Sequence, residues 1–399
     1  MPQDPAAKKL LILGAGVGGL SVIKEIAEYD SAAAILDEID ITIVDEDFSH
    51  FLGFTLPWVM RGWRAADSVP IRPTEAALSR VNRVTGRVSA IDPRRREVTL
   101  ADDTTLEFDA LILATGARNA VDRVPGLADA VINGVAVHYY DYDAAAEAHR
   151  ALSGFSGGRL MFLVTSPVYR CPVAPYEGAM LAADLLEATG ARAATEITAY
   201  TPEAQPMPSA GPYAGVELIA FLQQRGIAFH AEHQVAAVDA ARRTVTFDNG
   251  TEAGFDLLMF IPPHRPAVTI GDEEWISVDT ATMGTRHPGI YAIGDTTSVT
   301  TPWGRSLPKA AAFARNGAVS AARSALHYLG VIDGTEELSG QGYCYLDTGA
   351  GASSRGAGDF FAEPPQIHLS TPSAELNRQK TDEEHQWRAL WETETPLLR

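Results

Sequence analysis

The chain has 399 residues, 46% hydrophobic and 21% charged, which is enough apolar material to bury a core and too much length for one ordinary core. A formal charge of -19 argues against nucleic acid or an anionic membrane surface as a main partner. No 18-residue apolar run predicts a bilayer-spanning helix, and the start shows no export-type pattern, so a cytoplasmic setting is expected in which the only two cysteines, Cys171 and Cys344, are not a structural staple.

In chain order, Leu10-Leu-Ile-Leu13 predicts a buried strand, followed by Gly14-Ala-Gly16-Val-Gly18-Gly19 and an apolar-periodic helix. Gly14 permits the tight turn, Gly16 lets backbone approach a pyrophosphate, and Gly19 lets the helix pack close on the strand, with the helix N-terminus facing negative charge. The next strand, 41–44, ends in Asp45-Glu46-Asp47. A carboxylate there can accept both hydroxyls of an adenosine ribose; Asp45 is the first choice and Glu46 the alternative. Residues 98–116 read as a hairpin and a strand ending in Ala114-Thr115-Gly116, and 289–295 as a strand ending in Gly294-Asp295. This pair resembles segments of the two-dinucleotide-domain flavoproteins. The resemblance implies that Ala114, Thr115 and Gly116 approach FAD and that Gly294 and Asp295 lie at its ribityl chain; the alternative for Asp295 is a helix N-cap.

Residues 245–263 repeat the hairpin-and-strand pattern of 98–116, so a second nucleotide-type domain is expected. Its first strand, Met161–Thr165, leads into Ser166-Pro-Val-Tyr-Arg170-Cys171-Pro172 where glycines are expected, and its later strand ends in Pro262-Pro263. Proline has no N–H to offer a phosphate, so this domain is expected to lack the cradle of an NAD(P)H site and electrons to come from another donor. Cys171 precedes a helical pattern beginning at Pro175, where the helix dipole and Arg170 predict a lowered thiol pKa. Cys344 lies in a strand-like run over 340–349. The alternative is two unrelated buried cysteines acting as small hydrophobes.

Tyr169-Arg-Cys171-Pro-Val-Ala-Pro-Tyr-Glu177-Gly, with Gly342-Tyr-Cys344-Tyr-Leu-Asp-Thr-Gly349, resembles the cysteine segments of sulfide:quinone oxidoreductases and flavocytochrome c sulfide dehydrogenase flavoproteins. Residues 56–64 and 307–310 extend the likeness, which runs from about residue 9 to 350. Many such proteins carry a third cysteine after the Val124-Pro-Gly-Leu127 segment; this chain has none, so the likeness is to the two-cysteine type. The resemblance implies an α/β flavoprotein of the glutathione reductase kind, with two Rossmann-like domains and a small C-terminal region. It implies that Cys171 and Cys344 are bridged beside FAD, that hydrosulfide opens the bridge to a persulfide and a thiolate, and that two electrons pass to FAD and on to quinone.

The expected division is an FAD-binding domain over 1–130 and 271–330, a degenerate NAD(P)-type domain over 131–270, and a C-terminal region over 331–399. Lys309, read as opening the last FAD-domain helix, is assigned to the flavin pyrimidine edge, where a cation stabilises the anionic reduced form; the alternative is a solvated lysine. Glu177 is a candidate acid or base near Cys171, or a first-turn glutamate favoured by the helix dipole. His138, near the place of the missing cysteine, reads as a proton carrier or, preferably, a satisfied histidine. His230 and His233 lack a ligand cluster, so no metal is expected. In the tail, Thr371-Pro372 predicts a helix start, with Trp387, Leu390 and Trp391 on one face. Its acidity favours docking on the protein's own body or on a second subunit, as a homodimer, over a peripheral role at the inner face of a membrane. Alternatives to quinone-linked oxidation of sulfide or persulfide are transfer to a haem partner and a non-catalytic thiol redox sensor.

Overall fold

A computed structural model describes residues 7–398. Two five-stranded, all-parallel sheets form its frame. The first runs in the order Ile290–Ala292, Ala110–Leu113, Lys8–Leu13, Ile39–Asp45, Asn82–Thr85. The second runs Ile227–His230, Thr195–Tyr200, Gly158–Val164, Leu257–Ile261, Ala136–Val137. The central strands are apolar along their whole length, as strands covered on both faces must be, and Leu10 to Leu13 and Leu257 to Ile261 are all buried. Each unit carries a three-stranded antiparallel sheet leading into one of these strands: 88–107 before Ala110–Leu113, and 235–254 before Leu257–Ile261. That is the repeat read in the sequence. One large hydrophobic core joins the two units, and a smaller core lies under each antiparallel sheet.

The units differ where the first strand ends. In the first, Gly14 adopts φ +101° and a Cβ there would lie 2.5 Å from the Ala114 carbonyl oxygen, so no other residue fits the turn. The helix Val17–Ala27 follows at once, with Gly19 so close that a Cβ would meet the Gly14 carbonyl oxygen at 1.9 Å. In the second unit, the strand Gly158–Val164 is followed by a loop, and the helix Ala174–Thr189 begins only after Cys171.

Two further pieces complete the molecule. A hairpin pairs Gln341–Gly349, which holds Cys344, with Ala352–Asp359, and it packs against the helix Ala174–Thr189. The helix Ala374–Trp391 then docks on the hairpin with Trp387 and Trp391 buried. It starts two residues later than Thr371-Pro372 suggested, because the Ser373 hydroxyl caps it by accepting from the Leu376 N–H at 3.2 Å. Among the described residues no helix is long and apolar enough to cross a membrane.

Candidate functional site

A cavity of about 360 Å³ opens where the first unit, the loop before Ala174–Thr189 and the strand Gln341–Gly349 meet, within the size range of cofactor sites. Gly14, Gly16, Asp45, Ala114, Thr115, Gly116, Gly294, Asp295, Lys309, Cys171 and Cys344 all line it. Gly19 and Glu177 do not: Gly19 packs the helix on the glycine loop, and Glu177 is buried beneath the cysteines.

The lining suits a dinucleotide. A Cβ at Gly16 or Gly116 would point into open space, and Gly116 is left-handed at φ +64°, so backbone is bared to a ligand at both places. The helix Val17–Ala27 has no side-chain cap at Gly16, which leaves its first N–H groups available to phosphate. The buried Thr115 hydroxyl has no hydrogen-bond partner among the described residues. Asp45 bonds the Ala15 N–H at 2.7 Å and the Phe48 N–H at 3.0 Å, shaping the loop, while Glu46 is exposed and pairs with Arg118. Burial raises the pKa of Asp295, opposed by Arg170 and Lys309. Its residue lies in a short 3-10 turn, Gly294–Thr296, and not at the start of a long helix.

Lys309 stands two residues before the helix Ala311–Tyr328 and so does not open it as read from the sequence. Its ammonium donates to the Asp295 and Thr297 carbonyls at 2.9 and 2.8 Å and sits 3.7 Å from the Trp275 ring centre. Burial lowers its pKa to about 8, with Asp295 opposing. Its own carbonyl accepts the Cys171 N–H at 2.8 Å, pinning the cysteine loop to the helix Ala311–Tyr328.

Cys171 has φ +59°, a left-handed conformation that costs an L-residue energy and marks a constrained position. Both cysteines are free thiols. The expected lowering of the Cys171 pKa is corrected: burial pushes the thiol up to about 12, Glu177 adds to this, and Lys380 opposes it. Arg170 turns away, its guanidinium bonding His264, Asn119 and the Tyr140 carbonyl. Cys344 is likewise raised by burial, then by Cys171 and Glu177.

Beneath the thiols lies a group the sequence reading missed. Lys380, from the C-terminal helix, is fully buried between Glu177 Oε1 at 2.5 Å and Asp347 Oδ2 at 2.6 Å, both fully buried carboxylates. Trp58 Nε1 donates to Asp347 Oδ2 at 2.6 Å, and Ser353 and Asn377 donate to Oδ1. Glu177 Oε1 also accepts the Asp347 N–H at 2.8 Å, whereas its Oε2 has no partner among the described residues. Burial raises Glu177 to about 7, with Lys380 opposing and Asp347 adding. A signal for Lys380 did exist: residues 380, 384, 387 and 391 share one helical stripe, which places a lysine in line with two buried tryptophans. His138 lies outside the cavity lining, and His230 and His233 pack around Tyr200 and Phe247.

Residues 8–152 match the family model described as pyridine nucleotide-disulphide oxidoreductase. The mitochondrial sulfide:quinone oxidoreductase of Mus musculus is 22% identical over 313 residues, 73% of this chain and 66% of that protein. A probable ferredoxin reductase of Castellaniella defragrans is 28% identical over 73% of this chain and 68% of that one. The crystal structure of the sulfide:quinone oxidoreductase from Aquifex aeolicus superposes with a TM-score of 0.82 at 17% identity, over 97% of this chain and 92% of that chain. The chain thus has sulfide:quinone oxidoreductases among its homologues, and it shares the fold of the Aquifex aeolicus protein. The chain spans 66% of the mouse relative's length. Its own cavity suits a dinucleotide such as FAD on independent grounds: the bared glycine backbone, the unpartnered Thr115 hydroxyl and the uncapped helix.

Proposed function

We propose that the flavoprotein oxidises sulfide, or a related sulfur nucleophile such as a persulfide, at Cys171 and Cys344, and delivers the electrons through FAD to quinone. The observation that supports this most is that two cysteines, 344 − 171 = 173 positions apart, line one cavity together with the glycine loop and Asp295. In this reading Gly14, Gly16 and Asp45 would hold the adenosine diphosphate end of FAD, Ala114 to Gly116 its middle, and Gly294 and Asp295 the ribityl chain. FAD supplies a two-electron acceptor. Cys171 and Cys344 cycle between the free thiols seen here and a bridged form. Hydrosulfide attacks one sulfur of the bridge; the new S–S bond forms as the old one breaks, leaving a persulfide on one cysteine and a thiolate on the other. A nucleophilic acceptor then takes the sulfane sulfur and leaves its bonding pair on the cysteine as a second thiolate; the two thiolates would re-form the bridge as they give up two electrons to FAD.

Lys309 acts by charge on the reduced cofactor, its ammonium held by two carbonyls at the cavity wall. Glu177 is the proton store beneath the thiols. The loop Ser166–Pro172 and Pro262-Pro263 support a non-nicotinamide donor, since they carry no glycine and Pro167, Pro172, Pro262 and Pro263 have no N–H to offer a phosphate. Anaerobic rapid mixing tests the reading. Sulfide should bleach the flavin band, and Cys171→Ser and Cys344→Ser should each abolish bleaching while keeping the flavin bound and yellow. Bleaching retained in both variants overturns the cysteine route, and fast bleaching by NADH overturns the choice of donor in favour of the reductase-like relatives.

A further inference from the structure

The carboxylates beneath the cysteines come from the two elements that carry them. Glu177 sits in the first turn of the helix that follows Cys171, and Asp347 lies on the same strand as Cys344. Lys380 reaches both from a third element, the helix Ala374–Trp391. All three side chains are fully buried, and removing one member of such a set leaves an uncompensated charge.

We infer that Lys380 is a positioning residue of the cysteine site: clamped between Glu177 and Asp347, its ammonium ties the two cysteine-bearing elements together and decides what charge Glu177 presents to both thiols. The inference rests on the cysteine site proposed above. Which carboxylate exchanges a proton follows from the hydrogen bonds. Asp347 has Lys380 and Trp58 on one oxygen and Ser353 and Asn377 on the other, so both oxygens are engaged as acceptors. Although burial disfavours its charge, Lys380, Ser353 and Trp58 hold its pKa below the usual range. Of the two carboxylates, only Glu177 has an oxygen, Oε2, with no partner among the described residues and so able to carry a proton without displacing a donor. The charged or titratable groups facing Glu177 are Lys380, Asp347, Cys171, Cys344, Tyr139 and Tyr140. An ionised Glu177 raises both thiols and a protonated one does not, so the position of Lys380 bears on both.

The test uses the FAD-loaded protein and no sulfide. Infrared difference spectra over a pH series should show a protonated carboxyl stretch that disappears on ionisation near neutral pH and is missing in Glu177→Gln. Lys380→Met removes the cation, so the midpoint should rise by about one pH unit or more; Asp347→Asn removes the opposing anion, so it should fall by about one. Opposite shifts support the inference, because simple loosening of the site would move both variants the same way. An unmoved midpoint in Lys380→Met overturns it. If that variant does not fold, Asp347→Asn is compared by the same spectra with the double variant Lys380→Met, Asp347→Asn, which removes the cation without leaving Asp347 charged and unpaired. The double variant should show the higher Glu177 midpoint; equal midpoints overturn the inference. Opposite infrared shifts in a protein that does not react with sulfide would sink the sulfide reading and leave the role of Lys380 standing.

Discussion

The two parallel-sheet units share strand roles and an antiparallel appendage, yet they pack their first helices by different means. In the first unit the helix Val17–Ala27 rests on backbone: a Cβ at Gly19 would meet the Gly14 carbonyl oxygen at 1.9 Å. In the second, the helix Ala174–Thr189 rests on a side chain, since a Cβ at Gly178 would meet the Tyr139 hydroxyl at 2.1 Å, and that hydroxyl donates to the Ala174 carbonyl at 2.8 Å. One architecture thus serves a glycine turn, where only backbone may approach, and a thiol-bearing loop, where side chains fill the same kind of space. The difference lies in the loops, and the loops carry the chemistry.

Four tests break or sharpen this contrast. Gly19→Ala should be the most damaging, costing about 3 kcal/mol or more and releasing flavin, because backbone cannot move away; flavin content after purification and a denaturant curve read it. Gly178→Ala should cost about 1–3 kcal/mol and be partly rescued by Tyr139→Phe, which removes the nearest atom, the hydroxyl oxygen, and leaves the ring Cζ at 2.5 Å to shift. No recovery in the double variant would mean that the second helix, too, packs on something rigid. Trp58→Phe tests the seam between the first unit and the Cys344 strand. Losing its bond to buried Asp347 should cost about 1–3 kcal/mol with flavin retained, read by thermal melting. Smallest is the backbone at Cys171. Because it is left-handed, Cys171→Gly should be more stable than Cys171→Ala by roughly 1–2 kcal/mol, and equal stability would mean that the conformation is not strained.

Much of the frame was legible because it is local. Strands 10–13, 41–44 and 257–261, the glycine turn and the cysteine-bearing strand each show as a short apolar run or a glycine cluster, and the repeated hairpin marked two similar units. The convergence of Cys171 and Cys344 on one cavity was reached through a resemblance, since nothing local links positions 173 apart. The thiol pKa was misjudged because a helix dipole and a neighbouring arginine are visible in sequence, whereas burial and the direction in which Arg170 points are not. Lys309 reads as the opening of its helix because the alanines that follow it share one helical composition, whereas the helix begins at Ala311. Lys380 was passed over as one more charge in a polar tail, though the stripe it shares with Trp387 and Trp391 separates it from the solvated lysines.

The lysine clamp also orders events during synthesis. The cation follows Glu177 by 203 residues and Asp347 by 33, so both carboxylates leave the ribosome well before the charge that neutralises them. Until residues 374–391 dock, closing the hairpin over the Cys171 loop would bury two carboxylates with no cation between them. The thiol centre is therefore a late-maturing part of the molecule, open to solvent and to oxidants in the nascent chain after the glycine loop of the first unit already has its strands.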